Sequence, residues 1–160
     1  MFFQQILVAL NRSPLADRVF DRTLDLVENR PVSLKFLHFI AGPIAGRSPS
    51  FGNVGLSPLS PQTSPMPADL LVDRTLTEAR QWLETYLEKA KQRGIWAEGE
   101  CNIGEPGFWI CELARKWDVD LIIVGRRGRQ GIEEAVLGSV SNYVVHHAPC
   151  SVLAIQGKSA

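Results

Sequence analysis

Five strand-like runs separated by stretches of helical periodicity constrain this chain more than any other feature. Ile6-Leu7-Val8-Ala9-Leu10 has no polar interruption, and Asp120-Leu121-Ile122-Ile123-Val124 is the clearest run, leading straight into Gly125. Short apolar runs without alternation suit strands buried on both faces. In Val32–Phe39, Leu34, Phe36 and His38 alternate with Lys35, Leu37 and Phe39, so apolar groups again fall on both sides. Ile95–Ile103 is a weaker strand, and Cys150–Ile155 is the last.

The intervening segments read as helices. Ser13-Pro14 is predicted to open the first, with Ser13 as cap and Pro14 at the first helical position. Leu15, Val19, Leu24 and Val27 give it an imperfect apolar stripe as far as Asn29. From Ala68 to Arg93, Leu76, Ala79, Leu83, Tyr86, Leu87 and Ala90 recur at spacings of three and four before Gly94 ends the run. Pro106 starts a third helix, with Ile110, Leu113, Ala114 and Trp117 along one side, and Ser139–His147 forms a fourth. Strands separated by helices require crossover connections, hence a parallel sheet with helices on both faces. Right-handed crossovers make this a doubly wound α/β fold.

A chain of 160 residues suits one domain, taken as 1–160. Ala41 to Pro67 stands apart, with six prolines, four glycines and almost no periodicity. It reads as a long loop insertion, either a plain surface excursion or a flap near a ligand or partner, since loops beyond about 12–15 residues are uncommon. Seventeen basic residues balance seventeen acidic ones, so no overall field draws the chain to nucleic acid or an anionic membrane. The three cysteines, Cys101, Cys111 and Cys150, are odd in number and form no CxxC, which suits reduced thiols. The start lacks a basic signal-peptide region, and no apolar stretch nears the roughly 20 residues needed to span a bilayer. A cytoplasmic location is expected.

Most functional information lies in Gly125-Arg126-Arg127-Gly128-Arg129-Gln130-Gly131 and the Gly138-Ser139-Val140-Ser141 that follows. This segment begins at the carboxyl end of a buried strand and finishes at a helix start. Open α/β sheets bind ligands at those strand ends, where the strand order reverses. Glycines let a backbone come close to a ligand, and the first amides of a helix have no intrahelical acceptor. Backbone amides and the Ser139 and Ser141 hydroxyls together suit phosphate. A long flexible turn would also account for the glycines alone.

Gly125-x2-Gly128-x9-Gly138-Ser139 resembles the nucleotide motif of ATP-binding universal stress proteins. The likeness extends to Ile6–Ala9 with Ser13, to Asp118–Gly125, to Leu137–Val144 and to His147–Leu153, nearly the whole chain apart from the insertion. The resemblance implies a Rossmann-like three-layer sandwich, similar to adenine nucleotide alpha hydrolases, with strand order 3-2-1-4-5. It implies ATP, or ADP or AMP, across the crevice, with Mg²⁺ as a possible companion of ATP. Carried over by position, Ala9, Leu10 and Asn11 would face adenine and ribose, with Phe39 against the base. Val124 and Gly125 would line base and ribose, and Gly128, Gly138, Ser139, Val140 and Ser141 would hold phosphates that Arg127 helps to neutralise. ATP-binding members commonly carry Asp where this chain has Asn11. The amide donates and accepts hydrogen bonds but brings no negative charge, leaving nucleotide preference open. The family also implies a homodimer through Ser151–Ile155, an apolar edge that proteins usually cover.

Other signatures are missing. There is no G-x-x-x-x-G-K-[ST], and Asn11-Arg12-Ser13-Pro14 has no G-x-G-x-x-G. Three scattered histidines and three cysteines support no zinc site; His38 reads as a satisfied strand residue and His146-His147 as a complement to a helix dipole. Hydrolysis would need a positioned water and charge stabilisation at the γ-phosphate, and no carboxylate in the glycine segment is assignable to that work. The expectation is a regulatory adenine-nucleotide-binding protein with no catalytic residues. The alternatives are a slow ATPase using the same cleft, or a dimeric interaction module that has lost the nucleotide.

Overall fold

A computed structural model describes residues 2–40, 68–126 and 138–157. The elements are β1 (Gln5–Ala9), α1 (Ala16–Val27), β2 (Ser33–Ile40), α2 (Ala68–Gln92), β3 (Ala97–Ile103), α3 (Pro106–Lys116), β4 (Leu121–Arg126), α4 (Ser139–His147) and β5 (Ser151–Gln156). All strand pairs are parallel, in the order β3-β2-β1-β4-β5. The chain moves outward from β1 through β2 to β3, returns to the other side of β1 for β4, and ends at β5. The order therefore reverses between β1 and β4, where Ala9 pairs with Val124.

Period-two alternation divides the apolar side chains between two layers. Ile6, Val8, Leu34, Phe36, Leu121 and Ile123 pack under α1 and α2 with Val19, Phe20, Leu24, Leu83 and Tyr86. Leu7, Leu37, Ile122 and Val124 face the other way, against Ile110, Cys111, Ala114 and Val144 of α3 and α4. The continuous apolar runs are thus explained by strands that bury both faces, and the doubly wound α/β expectation holds.

Several boundaries shift by a residue or two from where the sequence puts them, and two of the shifts have a clear local cause. Ser13 and Pro14 do not start α1; they form a turn that delivers the chain to it. The Ala16 amide donates to the Ser13 carbonyl at 3.0 Å, and the helix begins at Ala16 with Leu15 as an N-cap that makes no side-chain hydrogen bond. The Ser13 hydroxyl is committed elsewhere, as described below. Strand β3 begins two residues later than the pattern suggests because α2 ends in a Schellman motif. Gly94, at φ +72°, donates to Lys91, and Ile95 donates to Ala90 at 3.0 Å, so the Ile95 amide closes the helix instead of pairing with β2.

Candidate functional site

The carboxyl ends of β1 and β4 lie side by side, and the candidate residues fall around them. Ala9 is the last residue of β1, paired with Leu37 on one side and Val124 on the other. Leu10 leaves the strand but its amide still donates to the Leu37 carbonyl at 2.8 Å, and its side chain is buried. Val124 is buried too. Both side chains are therefore turned into the protein interior, leaving backbone as what Leu10 and Val124 can offer at this end of the sheet. Ala9, Phe39 and Val140 are each half-buried against the α3/α4-side core, which gathers residues from β1, β2 and α4 on one side of the sheet.

Asn11 is exposed and held from one side. The Ser13 hydroxyl donates to its Oδ1 at 2.7 Å and accepts the Leu15 amide at 3.3 Å. With the amide oxygen engaged by Ser13, the Nδ2 donors are what this exposed side chain has left to offer. An aspartate at this position would offer only acceptors.

The two motif glycines that fall within the described residues, Gly125 and Gly138, have different explanations. At Gly125 a Cβ would lie 2.9 Å from Leu15 Cδ2 and 3.1 Å from Val19 Cγ2, so the missing side chain is the space that α1 occupies against β4. Gly138, the N-cap of α4, has φ −56° and ψ 155°, a conformation open to any residue. Among the described residues, a Cβ there would meet only Ser141 Oγ, at an ordinary 3.6 Å. Neither its backbone conformation nor packing among the described residues requires glycine at 138.

At the start of α4 the Gly138 carbonyl accepts both the Asn142 amide at 2.8 Å and the Ser141 hydroxyl at 3.0 Å. The amides of Ser139, Val140 and Ser141 precede the first intrahelical bond, and no acidic residue sits in the first turn. The positive end of the helix dipole is therefore uncompensated in its own first turn, which suits an anion. The Ser139 side chain is exposed, whereas Ser141 is buried with its hydroxyl proton spent on Gly138. Arg127 and Gly128, and the 41–67 insertion, lie outside the described residues.

The sequence reads His38 as satisfied but gives no sign of its partner. Its Nδ1 lies 2.9 Å from the Leu10 carbonyl oxygen, which makes Nδ1 the protonated nitrogen, and its ring lies 4.8 Å from that of Trp82 on α2. Burial, and secondarily the Arg12 guanidinium, hold its pKa below the ordinary 6.5 despite the opposing effect of that hydrogen bond. His147, at the end of α4, bonds instead through Nδ1 to the Tyr143 carbonyl and stacks on the Tyr143 ring. The thiols of Cys101, Cys111 and Cys150 are pushed up by burial, which makes them poor nucleophiles. No cluster of three or more metal-ligating side chains occurs among the described residues, and no helix there is long and apolar enough to cross a membrane. Two shallow concavities lie elsewhere, a groove of about 280 Å³ between α2 and β3 and one of about 240 Å³ near the amino ends of β1 and β2.

The family model described as the universal stress protein family matches residues 2–156. Universal stress protein Sll1388 of Synechocystis sp. is 36% identical over 163 residues, covering 98% of this chain and 99% of its own. Among solved structures, universal stress protein UspA from Lactobacillus plantarum superposes with a TM-score of 0.74 at 22% identity, covering 97% of this chain and 99% of its own. A universal stress protein family protein from Arabidopsis thaliana with AMP bound gives 0.64 at 22% identity, over 98% of this chain and 93% of its own. Two further neighbours, an Archaeoglobus fulgidus protein in complex with dAMP and a universal stress protein in complex with cAMP, give 0.64 and 0.62.

Proposed function

The chain belongs to the universal stress protein family, and we propose that it binds an adenine nucleotide, ATP foremost, across the carboxyl ends of β1 and β4. The observation that carries this reading is the start of α4. The amides of Ser139, Val140 and Ser141 precede the first intrahelical bond and follow a glycine that neither its conformation nor packing among the described residues demands, beside the point where strand order reverses. AMP, dAMP and cAMP in structural neighbours support an adenine ligand.

In this reading the α4 amides and the Ser139 hydroxyl hold phosphate, joined by Arg127 and Gly128. Ala9, Phe39 and Val140 give the base an apolar wall, while backbone groups of Leu10, Val124 and Gly125 and the Nδ2 of Asn11 face base edge and ribose. Mg²⁺ accompanies the phosphates of ATP. Binding, not turnover, is the activity, and it serves a regulatory role in the stress response. The protein acts as a homodimer through β5.

The test is to identify any small molecule that co-purifies with the protein, then titrate ATP, ADP, AMP and cAMP calorimetrically. Saturable binding of adenine nucleotides, abolished by Gly138→Val, is the expected result. No heat from any of the four would overturn the reading and leave a dimeric interaction module.

A further inference from the structure

We infer that His38 is a positioning residue: its imidazole fixes the Leu10–Asn11 segment that the proposed nucleotide site uses, and it ties that segment to α2. The inference rests on the nucleotide reading only for its effect on affinity; the clamp itself stands on geometry.

The ladder of β1 ends at Leu10. Its amide still bonds to Leu37, but its carbonyl is the first backbone acceptor past the strand, and Leu10 itself is buried. His38, on the neighbouring strand, supplies the donor through Nδ1 at 2.9 Å. That bond sets the plane of the peptide joining Leu10 to Asn11, and so the direction in which Asn11 departs. Behind the imidazole stands Trp82, and Arg12 closes the arrangement from the loop itself. The Arg12 guanidinium donates to the Glu78 carbonyl at 2.7 Å and lies 5.7 Å from the Trp82 ring centre. Three consecutive residues are thus held from two sides: Leu10 and Arg12 by His38, Trp82 and Glu78, and Asn11 by Ser13. A histidine present only to fill space would need neither the Nδ1 bond nor this tautomer.

The experiment uses the full chain with His38→Leu and His38→Asn, since the asparagine Nδ2 can reach the Leu10 carbonyl and leucine cannot. Nitrogen NMR of the ligand-free wild type, with the His38 signals assigned by their loss in the Asn variant, should show the Nδ1–H tautomer. Amide exchange at Asn11–Ser13 should quicken in His38→Leu, and AMP affinity should fall about tenfold, the scale of one lost hydrogen bond. His38→Asn should recover both to within about threefold. An Nε2–H tautomer would overturn the inference, as would a Leu variant that behaves like the wild type or an Asn variant as impaired as the Leu one. If His38→Leu does not fold, the tautomer and the Asn variant still decide. If the wild type binds no AMP, the nucleotide reading fails and the tautomer and exchange results judge the clamp alone.

Discussion

Protonation of His38 would place a charge in a buried site beside the Arg12 guanidinium, and the folded state resists it. Its pKa is lowered on folding, so between the folded value and 6.5 the unfolded chain binds the proton that the native chain refuses. Stability from this residue is therefore fully present above pH 6.5 and is lost as pH falls through that value towards the folded one. Denaturant titrations from pH 8 to pH 5 should show the loss with a slope of at most one proton, and His38→Asn should remove that component. An unchanged slope in the variant would assign the pH dependence to other groups. Tyr86 presents the opposite case. Burial, joined by the hydroxyl's hydrogen bond to Asp17 at 2.9 Å, pushes its pKa up to about 12, so the phenol stays neutral and its bond intact to high pH.

Helices and strands fit each other through a few close contacts. Gly125 is one: α1 reaches β4 because nothing projects there. Gly125→Val should cost about 1–3 kcal/mol by overpacking against Leu15 and Val19. Adding Leu15→Ala should return part of that loss, because the nearest clashing atom is the tip of Leu15. Thermal melts of the single and double variants check this, and a fully additive pair would contradict it. Phe36 is completely buried between β1 and β3, and Phe36→Ala should cost about 3–5 kcal/mol in the same assay.

The elements were legible in the sequence because burial on both sheet faces leaves unbroken apolar runs such as Leu121–Val124, and because amphipathic spacing from Leu76 to Ala90 has only one helical reading. The start of α1 was not, because the Ser13 hydroxyl has two competing uses and turns to Asn11 and the Leu15 amide, not to a helix cap. Within the site, Gly138-Ser139 at a helix start was readable as a local signal. The contact of His38 with a carbonyl 28 residues away was not, since only the strand pairing brings the two together. Gly125 belonged to a glycine motif, yet its contact with α1 depends on a helix more than a hundred residues earlier in the chain.

At the scale of the whole molecule, β5 is an edge strand with Ser151, Leu153 and Ala154 exposed. Pairing with a second copy would cover that edge. Sedimentation at micromolar concentration should give twice the 17.7 kDa chain mass, and Leu153→Asp should return the monomer. A wild-type monomer would rule out β5 as a subunit contact. The other edge, β3, carries Glu98 and Glu100, charges that discourage such pairing.

Gly138→Ala separates nucleotide binding at the start of α4 from the stability of the fold. Among the described residues the added methyl would meet only Ser141 Oγ at 3.6 Å, in a backbone conformation that alanine adopts freely. The variant should therefore melt within about 1 °C of the wild type, the scale of a few tenths of a kcal/mol. Calorimetric titration of AMP and ATP into both proteins should nevertheless show an affinity at least tenfold weaker in the variant, because in the proposed site phosphate approaches the α4 amides beside Gly138. Equal affinity in the two proteins, or no binding by the wild type, would contradict a site at the start of α4.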